Sequence, residues 1–412
     1  MTSVVIADLD GRPATHPLTG RLARHLRQTG VGVTVYDRAG TDPRGRMGVA
    51  RAVRRAFGTG DSRPILVLFG HEPTQRREMW GLALSGLLPR VRLVVHAPAA
   101  RTPYDPQLAE LFSRAEVVVT DSQAGAQAVH RCCTDADEPP PRAVVTPPVF
   151  PSPSSLAAPA PIDRRALRRA RLGVDDDGLV VGCWTDEEVE VGLLTMEVFS
   201  QFSQGHYSRC TRCGHLTPWP TDEHLEPVPV AQCGRCGSHS GTPGRVRDDT
   251  RLLLMSGPSN GDGEWVPQAV GEWRGIEDRI IYQDPGSADD VSRLWGCVDL
   301  HLQPHLLADV PASISASCVL GVPVVATRYG ALEEWLEDAA WLVPPRMVLD
   351  HSAGPRTALM DPGGALTALC HLADDRAARR RTAADMRALA DAHQAGAVLD
   401  RWIELLAVPV TT

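Results

Sequence analysis

The chain has 412 residues, a formal net charge of −8, and hydrophobic and charged fractions of 43% and 22%. This is the make-up of a globular protein too long for one ordinary core, and it suits two domains of roughly 150–200 residues each. The acidic balance gives no electrostatic reason to expect nucleic acid or an anionic membrane as the main partner. All 42 basic residues are arginine, which excludes Schiff-base, P-loop and phosphate-binding lysines. With the abundance of Ala, Pro and Gly, GC-rich coding bias is a sufficient explanation. The N-terminus, MTSVVIADLDG, has a short apolar run without a basic flank, the pattern of a first strand and not of a signal peptide. No stretch reaches the roughly 18 apolar residues of a membrane span, and the expectation is a cytoplasmic protein.

Residues 1–150 alternate short apolar strands with helix-like segments. The strands expected are Val4–Ala7, Val31–Tyr36, Pro64–Phe69, Val91–His96, Glu116–Thr120 and Ala143–Thr146, with helical spacing in Leu18–Arg27 and Gln123–His130. Nearly all-apolar strands in a β-α-β series imply a parallel sheet covered by helices on both faces, a Rossmann-like domain. The Pro/Ser/Ala-rich segment from Pro151 to Asp163 lacks periodicity and reads as a linker. A second α/β series over 164–390 has strands at Leu179–Cys183, Leu252–Ser256, Arg279–Tyr282, Val298–Leu302, Val322–Ala326 and Ala340–Val343, followed by a helical tail, 391–412. Two doubly wound domains joined this way form a cleft between the carboxyl ends of their strands. The arginine runs Arg164–Arg171 and Arg376–Arg381 read as solvated helix faces, and Cys183, Cys297, Cys318 and Cys370 as core.

An insertion spanning 205–247 interrupts the second series. Cys210-x2-Cys213 and Cys233-x2-Cys236 each end on a glycine, Gly214 and Gly237, and their spacing is that of a four-cysteine zinc ribbon. Two disulfides are the alternative, disfavoured by a cytosolic setting. Four thiolates close a tetrahedral shell, which makes the zinc structural. His206, His215, His224 and His239 lie nearby and are not needed as ligands. Few large apolar residues occur in the insertion, so the metal must hold it. Its Pro218-Trp219-Pro220 and Leu225 segment reads as an exposed tip that either contacts an acceptor or protein partner or docks on the parent domain.

The stretch Gly321–Pro345, GVPVVATRYGALEEWLEDAAWLVPP, ends a helix at a glycine, forms a buried strand, and leads through a short acidic helix to a strand closed by Pro344-Pro345. It resembles the C-terminal half of retaining GT-B glycosyltransferases of the group 1/family 4 type, whose signature is E-x7-E-A-M-A-x-G-V-P-V-V-A-T. HPLTGRLARHLRQTGVGVTVYD (16–37), EVVVTDSQAGAQAV (116–129) and RLWGCVDLHLQP (293–304) resemble further segments of that family in the right order. The resemblance implies two Rossmann-like domains in a GT-B arrangement, a nucleotide-sugar donor, and a last helix that returns to the first domain. The family's two glutamates fall on Ala308 and Ala316. Its basic pair after the first strand of the second domain is replaced by an acidic loop with Asp186, Glu187, Glu188 and Glu190. What remains is Asp309-Val310-Pro311-Ala312-Ser313, read as a helix start capped by Asp309 with Pro311 in the first turn, whose N–H groups can hold a phosphate. Arg328 is the nearest counter-charge. His71 and His96 end strands at the cleft edge, where the family places histidines; His96 is the one candidate for catalysis, with a structural hydrogen-bonding role as its alternative.

The leading functional expectation is therefore transfer of a sugar from a nucleotide sugar to an unknown acceptor. A GT-B-derived binding protein using its ribbon for a partner is the main competitor, and an epimerase or hydrolase on the same fold the third. The degenerate donor motif implies weak or absent turnover with common nucleotide sugars.

Overall fold

The computed structural model describes residues 3–8, 17–37, 48–57, 63–69, 86–99, 102–148, 150, 166–175, 177–185, 189–220, 228–230, 232–255, 267–283, 293–307, 309–350 and 355–406. The first sheet contains β1 (Ser3–Asp8), β2 (Gly32–Asp37), β3 (Ile65–Phe69), β4 (Arg92–His96), β5 (Val117–Thr120) and β6 (Arg142–Val145). Its order is β2-β1-β3-β4-β5-β6 and every pairing is parallel. Side chains alternate between faces along each strand. Val5 and Ala7 of β1, with Leu66 and Leu68 of β3, enter the cluster on one face. Val4 and Ile6, with Ile65, Val67 and Phe69, enter the cluster on the other. A continuous apolar run is thus what a strand covered on both faces requires. The covering helices include α1 (Pro17–Gln28), α2 (Gly48–Phe57), α3 (Ala109–Arg114) and α4 (Gln123–Asp135).

The second sheet contains β7 (Leu179–Trp184), β11 (Thr250–Met255), β12 (Ile280–Gln283), β13 (Leu300–Gln303), β14 (Val324–Thr327) and β15 (Trp341–Val343), in the order β12-β11-β7-β13-β14-β15, again all parallel. Helices α5 (Val189–Gln204), α6 (Pro267–Arg274), α7 (Ala312–Leu320), α8 (Ala331–Leu336), α9 (Pro362–Asp374) and α10 (Arg376–Ala392) accompany it. The last helix, α11 (Ala395–Leu406), crosses to the first sheet, where Val398, Leu399, Trp402, Ile403 and Leu406 join Val4, Ile6 and Phe69. His25 and Asp400 meet at 2.8 Å and Arg92 donates to the Leu406 carbonyl at 3.1 Å. In the other direction, Phe150 packs with Ile314, Leu332 and Met386 of the second half.

The ribbon between α5 and β11 is a small antiparallel sheet of β8 (Tyr207–Cys210), β9 (Leu216–Pro218) and β10 (Gly241–Pro243), in the order β10-β8-β9. A second antiparallel pair, β16 (Pro345–Leu349) and β17 (Thr357–Met360), stands outside both large sheets.

Several details differ from the sequence reading. Pro345 does not close β15 but opens the β16–β17 hairpin, which apolar periodicity did not reveal. Strand β14 starts at Val324 and not Val322, because the Val322 amide bonds the Ser317 carbonyl at 2.9 Å and finishes α7 behind Gly321, whose φ is 65°. Arg168 is not solvated: it is 5% exposed and donates to the carbonyls of Cys297 and Gly178 and to Asp299 at 2.7 Å. Nor is the ribbon a separate appendage. Tyr207 and Leu216 are buried in the main cluster with Phe199, Phe202, Leu366 and Leu369. Trp219 stacks on His206 and donates to Ser208 at 2.8 Å, and Pro218 lies against Gly363 of α9. Of the two readings of this segment, docking on the parent domain is the one observed; Leu225 and His224 lie outside the described residues, as does the segment from Pro151 to Asp163.

Candidate functional site

Three neighbouring strands of the second sheet, β7, β13 and β14, deliver their carboxyl ends to one place. Beyond β13 the chain enters α7, a nine-residue helix whose first position follows Pro311. Asp309 does not cap it: Pro311 is the N-cap, with ψ at 152°, and no side chain bonds the helix start. Asp309 instead meets His305 Nε2 at 2.6 Å. The Ile314 and Ser315 amides turn back to the Pro311 carbonyl at 3.1 and 3.2 Å. The N–H groups of Ala312 and Ser313 precede any helical acceptor, which is the general situation of a helix start.

Three hydroxyls, in the first turn of this helix and at the carboxyl ends of β7 and β14, are enclosed in protein. Ser313 and Thr185 are each 1% exposed, Thr327 is fully buried, and their oxygens have no hydrogen-bond partner among the described residues. Thr185 follows β7, Thr327 ends β14, and Ser313 is the second residue of α7. Unsatisfied buried hydroxyls are costly, at about 1–3 kcal/mol each, unless a ligand or water completes them. Below them runs a satisfied network. Trp295 donates to Ser317 Oγ at 2.8 Å, Ser317 meets His301 Nδ1 at 2.9 Å, His301 Nε2 meets Gln303 Oε1 at 2.9 Å, and Gln303 Nε2 donates to the Trp184 carbonyl at 2.9 Å. Gln303 Oε1 can only accept, so His301 carries its proton on Nε2 and accepts the Ser317 hydroxyl at Nδ1. Burial lowers the His301 pKa to about 4, so the ring is neutral.

Arg328 follows β14 and engages Glu337 at 3.2 Å and Glu333 at 3.8 Å. Ala316, where the resemblance puts a glutamate, packs beside Trp295, Val298 and Leu172. His96 ends β4 as expected, with its ring 5.1 Å from Phe69 and 6.2 Å from Trp402 of α11. His71, Ala308, Asp186, Glu187 and Glu188 lie outside the described residues, while Glu190 sits in the first turn of α5.

The two halves touch at a point that no motif announced. Glu334 of α8 accepts the Gln123 and Ala124 amides at 2.6 and 2.9 Å, so a carboxylate from one half sits on the start of α4 in the other. Trp335 donates to the Asp121 carbonyl at 2.6 Å. The Asp121 carboxyl accepts the Ala99 amide at 2.9 Å. Enclosure, reinforced by Asp309 and Glu334, raises its pKa to about 7.

In the ribbon, Cys210, Cys213, Cys233 and Cys236 place their sulfurs within 4.8 Å of one another. The Cys210–Cys236 and Cys213–Cys233 separations are both 3.7 Å. This is the edge of a tetrahedron with metal–sulfur bonds of about 2.3 Å, and far from the roughly 2.05 Å of a disulfide. Both knuckles share one turn: Gly214 and Gly237 have φ of 72° and 69°, and their amides bond the Cys210 and Cys233 carbonyls at 2.9 and 3.0 Å. Positive φ is why each turn uses glycine. The donor set and geometry fit a tetrahedral thiolate-bound metal.

No protein-family model matches the sequence, and no curated protein is matched by sequence either. Solved structures do match over nearly the whole chain. HepE of Anabaena, in complex with UDP and glucose, superposes with a TM-score of 0.60 at 16% identity, covering 99% of this chain and 100% of its own. Sucrose-phosphate synthase of Thermosynechococcus elongatus gives 0.65 at 13% identity, with 99% and 98% covered. WaaG, a glycosyltransferase involved in lipopolysaccharide biosynthesis, gives 0.57 at 13% identity, with 98% and 100% covered. The chain has the GT-B fold. Likeness at this level of identity speaks for the GT-B arrangement of two Rossmann-like halves and leaves acceptor and reaction open. Among the described residues no helix is long and apolar enough to cross a membrane.

Proposed function

We propose that this GT-B protein binds a nucleotide-sugar donor between its two halves, units 1–150 and 164–390, with the diphosphate at the start of α7, and is a glycosyltransferase by ancestry and site. The observation that carries this is the uncapped start of α7 beyond β13, together with the unsatisfied buried hydroxyl of Ser313 in its first turn and those of Thr185 and Thr327 at the carboxyl ends of β7 and β14. Helix N–H groups and hydroxyls together bind phosphate oxygens without any lysine. HepE, of the same fold, is described with UDP and glucose bound, which makes UDP and UDP-glucose the first donors to test. The neutral His301–Gln303 pair fixes the Trp184 backbone and so the floor of this site. His96, packed against Phe69 and Trp402, remains the one candidate for a catalytic histidine in the first half.

Calorimetric titration with UDP and UDP-glucose tests the site. Ala312→Pro removes one N–H while keeping the helix, since proline suits a first helical position. The variant is expected to weaken UDP binding roughly tenfold, the cost of one hydrogen bond to a charged oxygen. Full-strength binding by Ala312→Pro would place the phosphate elsewhere.

A second reading, donor binding without efficient transfer, is favoured by two observations: Arg328 is engaged by acids of α8, and Ala316 is in apolar contact. Loss of one transition-state charge contact costs about 10²–10³ in rate, so turnover of common nucleotide sugars is expected to be weak or absent. Robust transfer, lost in Arg328→Ala, would show instead that arginine serves the departing diphosphate. For the ribbon we propose one structural zinc at Cys210, Cys213, Cys233 and Cys236. Metal analysis of the purified protein should give about one equivalent by the closed-shell argument. Ten cysteines without a disulfide, four of them assigned here to the metal, suit a reducing, cytoplasmic setting. A protein partner would use the exposed outer knuckles, Arg212 and Arg235.

A further inference from the structure

The β16–β17 hairpin has one occupied edge and one open edge. On the β17 side the Arg356 and Ala358 amides donate to the carbonyls of Thr102 and Leu306 at 3.0 and 2.8 Å, which seats the hairpin against the rest of the chain. In an antiparallel ladder the N–H and C=O of one residue point to the same side, and directly opposed residues either face each other or both face away. Ala358 stands opposite Val348 and points away from it, so Val348 turns its own N–H and C=O outward from β17. The sheet has two strands, and among the described residues no third strand pairs with β16.

The residues on that open strand are apolar. Met347, Val348 and Leu349 are 46%, 45% and 38% exposed, and side chains alternate along a strand, so apolar surface shows on both faces of the hairpin. Edge strands are ordinarily kept from pairing by a charge or a proline within the strand. Here Pro345 stands at one end, beside the irregularity between Pro345 and Met347, and the regular stretch from Met347 to Leu349 carries neither. The charges flank it, with Arg346 before and Asp350 after, both exposed. Asp350 meets Arg356 through Oδ1, which leaves Oδ2 for a further donor.

We infer that β16 is a self-association edge: it pairs antiparallel with β16 of a second copy, about a two-fold axis through Val348, and builds a four-stranded sheet across two chains. The strand is self-complementary in that register. The axis sets Val348 against Val348, Met347 against Leu349 and Arg346 against Asp350. Val348 then exchanges its outward N–H and C=O with its counterpart, the hydrogen-bonded position of the ladder. Met347 and Leu349 become apolar cross-strand neighbours, and an arginine meets a carboxylate at both ends of the pairing. A displaced register parts Arg346 from Asp350 and so loses both charge pairs. A foreign strand would have to match an apolar triad between opposite charges by coincidence, whereas a second copy supplies it by symmetry. Three apolar residues are a short edge, and two copies of a chain with net charge −8 repel at long range, so the contact is weak and reversible.

Sedimentation velocity of the full chain from about 1 to about 300 µM should show a reversible monomer–dimer equilibrium with a Kd on the order of 10–100 µM. Val348→Pro removes an outward N–H, the placement in which a strand tolerates proline, and should weaken the dimer about tenfold or more while leaving the thermal midpoint of the dilute chain unchanged. Arg346→Glu sets a like-charge pair at each end of the pairing and should weaken it about tenfold. Hydrogen exchange of the Pro345–Asp350 segment should slow as the dimer forms, because the Val348 amide gains a partner, with exchange along β17 unaltered. A chain that stays monomeric to about 300 µM leaves the edge to another kind of partner and overturns the inference. So does a dimer of equal strength in both variants, or one whose formation leaves exchange over 345–350 unchanged.

Discussion

His301 and Asp121 are two enclosed ionisable groups whose pKa values move toward the same middle range from opposite sides. Burial brings His301 to about 4, so below its ordinary value of about 6.5 the unfolded chain takes up a proton that the folded one refuses. Its contribution is present above pH 6.5 and is lost as pH falls toward 4. Asp121 titrates at about 7 against 3.8 in a free carboxyl, so the folded chain holds a proton that the unfolded one releases. That contribution is present below 3.8 and is lost as pH rises toward 7. The two slopes oppose one another over nearly the same window, each with a span of roughly 3–4 kcal/mol by linkage. In the unsubstituted protein these two contributions offset one another between about pH 4 and 6.5. Relative to the unsubstituted protein, Asp121→Asn should make the midpoint rise more with pH over this range, and His301→Gln should make it rise less or fall. Parallel profiles for all three proteins in differential scanning calorimetry would refute the pairing.

At the level of elements, the ribbon is the piece whose coupling to its surroundings exceeds what its sequence suggests. Its cysteine spacing alone identifies a metal knuckle, and its scarcity of large apolar residues suggests an independent appendage. Yet Tyr207 and Leu216, which flank the first knuckle on either side, are 2% exposed and sit among Phe202, Leu366 and Leu369. Arg247 closes the insertion on Asp374 at 2.8 Å and lies 4.7 Å over the Phe202 ring. Metal loss is therefore expected to loosen the second half as well as the ribbon. Cys213→Ser should lower its unfolding temperature by roughly 5 °C or more, because displacing two buried side chains costs a few kcal/mol. Hydrogen exchange should quicken at the end of α5 and along α9. Faster exchange confined to 205–247 would show that the ribbon unfolds alone.

For the whole molecule, the decisive contact is the carboxylate of Glu334 on the start of α4, with Trp335 on the Asp121 carbonyl beside it. A carboxylate at a helix start contributes about 0.5–2 kcal/mol, enough to bias how the two halves sit but not to lock them. Glu334→Ala with Trp335→Phe should increase the radius of gyration in small-angle scattering and leave the unfolding of each half nearly unchanged. An identical scattering curve would mean that α11 and Phe150 alone set the arrangement.

Both six-stranded sheets, their strand order of appearance and the four-cysteine site were legible in the sequence, because each is written in local terms. Buried parallel strands require apolar runs, helices require spacing, and a metal knuckle requires two short cysteine pairs ending in glycine. Strand limits moved by a residue or two where a capping turn such as Gly321–Val322 took residues that the β-branched run had claimed. The donor side was only partly legible: the start of α7 was found, but Asp309 turned to His305, leaving Pro311 as the cap. Arg168 read as surface because its neighbours are arginines, and it is buried because Asp299 and two carbonyls converge on it from positions about 10 to 130 residues away. The Glu334 contact and the bond from the Arg356 amide to the Thr102 carbonyl have no local signature at all. They depend on surfaces more than 200 residues apart meeting face to face, and only packing of the complete chain decides which surfaces those are.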